Sequence, residues 1–294
     1  MNGERATFKE RLGTALPVAL LGLLTLPVII GYIWIVISTF SRTTYGLEPQ
    51  GKLTFANWSF LWEDPKIWQV TLNTFILAVG QTVGVVLVSS LAGYALSRLN
   101  FPGRKSFLAM TLILHSFPAV TLLIAIYFVL RWISQIPVLG NGIPLIGGFG
   151  YNTLGGVIMV QLALQLPLGV WLMKGFFDNV SWDMQRAALI DGCSHFRAWW
   201  QIVMPAIRPG IAALVIFTFI TGWGAFLIPY TFIVDQQNST LAAYVRSLEG
   251  DTSPVNYSTI AAVGLFQLIP VMVFFIFTQE YLMNIFAGGS KGGT

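Results

Sequence analysis

Charge is what this sequence has least of. Only 10% of its 294 residues are Asp, Glu, Lys or Arg, against about a quarter in an ordinary soluble domain. So few charges cannot cover a water-facing surface, and a soluble globular chain is excluded. Cysteine occurs once, at Cys193, which excludes an internal disulfide and a thiolate metal cluster. The two histidines, His115 and His195, have no metal-ligand spacing to a carboxylate or to the cysteine, so no metal site is expected. Missing as well is any Gly-x-x-x-x-Gly-Lys-Ser/Thr run, so the chain itself binds no ATP by a phosphate loop. No nucleophile–base pair falls inside an apolar run, so no catalytic residue is assigned and the chain is expected not to be an enzyme. A net charge of +4 gives no block of cations, and no nucleic-acid partner is expected.

What is abundant is apolar. Hydrophobic residues make up 55% of the chain and the mean hydropathy is +0.72, values of an integral membrane protein. Apolar runs over 12–41, 70–96, 107–130, 154–173, 211–228 and 260–277 predict six transmembrane helices, each long enough for a hydrocarbon core about 30 Å thick. The first run is too long for a signal-peptide core. It carries Pro17 and Pro27, which membrane helices tolerate. The expected fold class is therefore an all-α, six-helix membrane protein. Residues 1–11 form a short lead-in, 12–286 the membrane domain and 287–294 a flexible glycine-rich tail.

An even number of spans puts both ends on one side. With the N-terminus in the cytoplasm, eleven of the sixteen lysines and arginines fall on cytoplasmic segments, as the positive-inside rule requires. That orientation also puts the loop 178–208 in the cytoplasm.

The polar stretch 181–205 within that loop has its own order. Ser181 is placed to cap a helix, with Asp183 in the first turn. Met184, Ala187 and Ala188 fall on one face. Gly192 breaks this helix and Ser194 caps a second, in which Phe196, Trp199, Trp200 and Val203 form an apolar stripe. The pattern is a helix, a glycine turn and a second amphipathic helix. It fits either a docking element or a linker lying on the bilayer surface. His115, next to Ser116-Phe117-Pro118, reads as a neutral histidine bonded to a neighbouring helix, or as a proton relay.

Arg186-Ala187-Ala188-Leu189-Ile190-Asp191-Gly192, followed by Ile202 and Pro205, resembles the cytoplasmic coupling loop of binding-protein-dependent ABC importer permeases. That loop's pattern is Glu-Ala-Ala, three residues, then Gly. The glutamate is Arg186 here, which puts its usual ion pair with the ATPase in doubt. Further likenesses are Leu72-Asn73-Thr74, Tyr94-Ala95-Leu96-Ser97-Arg98 with Phe101-Pro102-Gly103-Arg104-Lys105, and Phe117-Pro118-Ala119-Val120. Together with the tail around 287–293, they are similar to the smaller permease subunit of maltose-type sugar importers.

The resemblance implies a second permease chain, two ATPase subunits that bind ATP and magnesium, and a periplasmic or lipid-anchored solute-binding protein. It implies a prokaryotic plasma (inner) membrane location. It assigns ATPase coupling to Arg186, Ala187, Ala188, Asp191, Gly192, Phe196 and Pro205, although small residues at 187, 188 and 192 also fit plain helix propensity. By position, Asp235, Gln236, Gln237 and Asn238 would dock the binding protein or form a solvated loop. Gly288, Gly289 and Lys291 would reach the ATPase or form a disordered end. Trp223-Gly224-Ala225-Phe226 lacks the Asn-Glu pair of many relatives, so this chain would add little sugar recognition there. The implied substrate is a maltose-, maltodextrin- or trehalose-like sugar. The alternatives are another polar solute such as a glycerophosphate, or a self-sufficient secondary carrier.

Overall fold

In the computed structural model, residues 8–45, 48–140, 142–248 and 256–289 are described. The chain divides into two units, one of residues 1–64 and 247–269, the other of 65–246 and 270–294.

The first unit opens with α1 (Phe8–Thr39), which carries both Pro17 and Pro27 without breaking. From Val18 onward its apolar side chains are largely exposed, as suits a helix surrounded by lipid or another apolar surface. Between the first two apolar runs, where no strand was expected, lies an antiparallel hairpin, β1 (Ser41–Tyr45) and β2 (Glu48–Leu53), with Ser41 opposite Leu53 and an irregularity before Thr43. The fold is therefore mostly helical rather than purely so. Consecutive Thr43, Thr44 and Tyr45 favour extended backbone, and the strand was too short to stand out in the sequence. Buried Asn57 secures the hairpin's start, donating through Nδ2 to the carbonyls of Thr39 and Ser41. Ser258 Oγ donates to Thr44 Oγ1 at 2.8 Å.

The second unit is a bundle. Its centre is the pair α2 (Lys66–Arg98) and α5 (Leu154–Asp178). Lipid provides no hydrophobic force between helices, so close approach through small residues matters. A Cβ on Gly93 would lie 2.8 Å from both the Lys174 nitrogen and Met173 Cβ, and one on Gly222 would lie 2.9 Å from Ala78 Cα. Two apolar clusters fill the interior. One is built on Leu77, Val157, Ile158 and Phe232, the other on Val85, Met173, Phe177, Trp199 and Val203.

Two expected spans are not single rods. The third is α3 (Arg104–His115) and α4 (Ala119–Ile133), bent by 101°. Pro118 lacks an N–H and disfavours helical geometry at Phe117, which accounts for the break. Next to the fifth, α7 (His195–Ala206) meets α8 (Arg208–Trp223) at 77°. Helix α8 stops at Trp223, and a short α9 (Leu227–Phe232) follows. Among the described residues, four helices are thus long and apolar enough to cross a membrane, or up to six if each bent pair is one span. α6 (Trp182–Ile190) lies between α5 and α7. Two further helices, α10 (Leu241–Ser247) and α11 (Tyr257–Gly289), complete the chain. Gly288 and Gly289 thus end a helix rather than open a flexible tail, and Lys291 lies outside the described residues.

Candidate functional site

The 181–205 stretch forms as its caps predict. Ser181 Oγ accepts from the Asp183 nitrogen at 3.2 Å, and Ser194 Oγ from the Arg197 nitrogen at 3.3 Å. Gly192 adopts φ +86°, a left-handed value that side chains resist. The nitrogens of Gly192 and Cys193 bond back to the carbonyls of Leu189 and Ala188, closing α6 with a Schellman turn.

The face shared by Met184, Ala187 and Ala188 is not buried as a whole. Gln185 and Ala188 are buried, while Met184, Arg186 and Ala187 are exposed. In α7, Trp199 and Val203 are buried, but Phe196 is 68% and Trp200 58% exposed. A π-type turn spans Trp199–Val203, and the buried pair forms one edge of the stripe while Phe196 and Trp200 form the other. Asp191 and Gly192 are exposed and Pro205 half-buried. Arg186 pairs only loosely with Asp183, at 4.0 Å and with both side chains mostly exposed.

The inner face of this island is fastened to the ends of α2 and α5 by residues to which the sequence assigned no role. Gln185 Nε2 donates to Tyr94 Oη at 2.7 Å, and the Tyr94 ring stands edge-on to Phe177 and near Trp199. Arg98, 6% exposed, donates through Nη2 to the carbonyls of Phe177 and Val180 at 2.8 and 2.7 Å. Its guanidinium also lies 4.6 Å from the centre of the Trp182 ring. Ser97 Oγ donates to Asp178 Oδ1, and Lys174 pairs with the other oxygen of that carboxylate. The island itself is tied to α2 through Gln185–Tyr94, Trp182–Arg98 and Trp199–Tyr94. Its outward surface shows Ile190 (85% exposed), Met184, Phe196 and Trp200.

At the opposite end of α5, the 235–238 turn is held rather than free. Asp235 caps it by accepting from the Gln237 nitrogen. The Gln237 carbonyl accepts from Gln69 and Asn73, and Asn73 also donates to the Ser239 carbonyl at 2.9 Å. Lys66 donates to the Gln236 side chain, and Asn238 to the Asn152 carbonyl. The side chains of Asp235 and Gln237 remain exposed.

Between these ends lies a cavity of about 850 Å³, walled by the α3–α4 break, the middle of α5, and the α8–α9 junction. Its polar lining is His115, Gln161, Gln165 and Thr221. His115 Nδ1 lies 3.3 Å from the Leu164 carbonyl, the neighbouring-helix bond read from the sequence.

Comparison with known proteins gives a consistent result. The profile of a family described as binding-protein-dependent transport system inner membrane component matches residues 84–284. The diacetylchitobiose uptake system permease protein of Streptomyces coelicolor is 30% identical, over 98% of this chain and 91% of that protein. The maltose/maltodextrin transport system permease protein of Escherichia coli (strain K12) is 31% identical, over 75% of this chain and 71% of its own. In fold, the chain is similar to a bacterial ABC transporter involved in import of the acidic polysaccharide alginate. The TM-score there is 0.74 at 17% identity, covering 94% of this chain and 98% of the other.

Proposed function

Because the chain belongs to the family of binding-protein-dependent transport system inner membrane components, and is therefore an inner-membrane permease component, we propose that it forms half of the pathway of an ATP-driven sugar importer. A second permease chain supplies the other half, two ATPase subunits bind ATP and magnesium, and a solute-binding protein delivers the sugar. Six spans cross the membrane, each bent pair counting as one, with both termini and the 181–205 island in the cytoplasm. The uptake of diacetylchitobiose and of maltose/maltodextrin by relatives supports an oligosaccharide as solute.

One observation carries the coupling role. The island exposes Met184, Ile190, Phe196 and Trp200 among charged residues on its outward surface and is fastened on its inward surface to the end of α2. Exposed Met184, Ile190, Phe196 and Trp200 cost free energy in water and suit the groove of a partner. A push on that face reaches the spans through the Gln185–Tyr94 hydrogen bond and the stacking of Arg98 on Trp182. In this role Arg186, Ala187, Asp191, Gly192 and Phe196 form the partner-facing side, while Ala188 packs inward and Pro205 lies in the elbow before α8. The exposed Asp235 and Gln237 side chains remain available to a binding protein at the other end. Gly288, Gly289 and Lys291 would add a second ATPase contact.

Cross-linking from Cys193, half-exposed beside Gly192, tests the coupling role. In the assembled complex a thiol probe is expected to capture an ATPase subunit. Gly192→Pro, incompatible with φ +86°, should abolish both capture and solute-driven ATP hydrolysis. Capture of lipid alone, with ATP hydrolysis unchanged in the variant, would overturn the reading.

A further inference from the structure

The cavity between the α3–α4 break and α5 carries a more specific message, one that rests on the sugar-importer reading. Gln161 and Gln165 are one helical turn apart, about 6 Å along the axis, midway along α5. Both line the cavity, and neither has a hydrogen-bond partner among the described residues. An amide offers two donors and an acceptor, and leaving it unpaired within a membrane is costly. Two such groups on one wall call for a ligand that both donates and accepts.

The surroundings narrow its chemistry. Since a carbonyl only accepts, the His115 Nδ1 facing the Leu164 carbonyl carries a hydrogen, and Nε2 is the nitrogen left for a ligand. Pro167 has no N–H to return to the Ala163 carbonyl, and Ala163 also lines the cavity. The Thr221 hydroxyl is already engaged by Gln81 and by the Thr218 carbonyl, so it shapes the wall instead. Phe117 and Phe226 supply flat apolar surface. Among the described residues, no Asp, Glu, Lys or Arg lines the space. A carboxylate, sulfonate or phosphate would enter without a fixed countercharge and lose its hydration. Hydroxyl groups, which donate and accept without charge, match amides and imidazole nitrogen, while the apolar C–H face of a sugar ring suits the phenyl rings. A volume of about 850 Å³ falls within the roughly 300–1,000 Å³ of small-molecule sites.

We propose that this chain itself contacts the transported sugar, through Gln161, Gln165 and His115, and that the site takes neutral oligosaccharide segments and rejects anionic ones. The polar groups absent at Ala225–Phe226 are thereby supplied from the facing wall of the cavity. The site excludes the acidic substrate named for the alginate importer of like fold, and it disfavours a glycerophosphate.

The test uses the complete importer, with its partner chains, in vesicles loaded with ATP. The probes are maltotriose and diacetylchitobiose as neutral sugars and an alginate pentasaccharide as the anion. One neutral probe is expected to accumulate and the anion not. Gln161→Met with Gln165→Met, which keeps chain length, should lower that uptake by about tenfold or more. Binding-protein-stimulated ATP hydrolysis, which reads the coupling island, should persist and shows that the complex has folded. Uptake of the anion, or neutral uptake untouched by the double substitution, overturns the cavity proposal and leaves the importer standing. Absence of any ATP-dependent uptake by the unsubstituted complex overturns the importer reading and the cavity proposal with it.

Discussion

The side-chain amide of Gln185 donates to the hydroxyl of Tyr94 at 2.7 Å, joining two residues 91 positions apart in the chain. Gln185 sits on the short helix α6 and Tyr94 near the end of the long helix α2. The bond is thus a direct hydrogen-bonded link from the island to the membrane bundle.

Replacing Tyr94 by Phe removes that route while keeping the ring contacts to Phe177 and Trp199. A buried amide left without its partner costs about 1–3 kcal/mol. The complex should assemble, hydrolyse ATP, and transport less sugar per ATP consumed. Measuring uptake and hydrolysis on the same vesicles checks this, and an unchanged ratio refutes the transmission role. Gln185→Leu should add little to Tyr94→Phe, because residues acting as one unit are not additive.

Arg98 serves two carbonyls with one nitrogen and stacks on Trp182 with its plane. Lysine carries the charge but neither the planar fork nor the stacking surface. Arg98→Lys is expected to destabilise the purified protein by roughly 1–3 kcal/mol, read as a lowered melting temperature in detergent. A melting temperature equal to that of the original chain would show that charge alone suffices.

Packing of α2 against α5 gives a sharper contrast between two glycines. A side chain at Gly93 meets the backbone of Lys174, which cannot move aside, whereas Gly175 has nothing within 4 Å. Gly93→Leu should cost about 2–3 kcal/mol or prevent folding, while Gly175→Ala should leave yield and melting temperature unchanged or slightly raised. Equal behaviour of the two would mean that the helices separate more easily than their contact implies.

Much of this architecture was legible from the sequence, and what was not has a common cause. Hydrophobic runs and scarcity of charge fix a membrane protein, because lipid leaves so few alternatives. Ser181, Gly192 and Ser194 announced their turns because capping is local chemistry. Which face of α6 is buried was not local, since Gln185 turns inward only because Tyr94 waits for it. The split of Phe196 and Trp200 from Trp199 and Val203 depends on which edge of the stripe meets Tyr94 and Phe177, a tertiary fact. Asn73 was recognised as part of a signature, but its bond to the distant Gln237 carbonyl appears only in three dimensions. The same holds for the Gln161–Gln165 pair, which reads in sequence as two polar residues inside an apolar run.

That tethered turn makes its own prediction. Asn73→Leu removes both donors to the Gln237 and Ser239 carbonyls without disturbing the apolar core. Backbone amides over 236–241 should then exchange with deuterium faster, while the middle of α2 stays protected. Unaltered exchange would mean that Gln69, Lys66 and Asn152 hold the turn unaided.

Arg186 stands where the family pattern has glutamate, and its surroundings decide what it can do there. It lies on the outward face of α6, 5.8 Å from the Trp182 ring centre and only loosely paired with Asp183. A guanidinium so placed is free to form a charge-assisted bond across an interface. If this face meets the ATPase as proposed, the complementary group there is a carboxylate, the reverse of the arrangement a glutamate requires. Restoring the family residue by Arg186→Glu should therefore impair this importer, because like charges facing across an interface cost several kcal/mol. Solute-driven ATP hydrolysis should fall by about tenfold or more, with a steeper dependence on salt. A lysine or arginine placed at the facing ATPase carboxylate should restore it. If Arg186→Glu instead hydrolyses ATP at the original rate, position 186 faces solvent and the interface is held by Met184, Ile190, Phe196 and Trp200 alone.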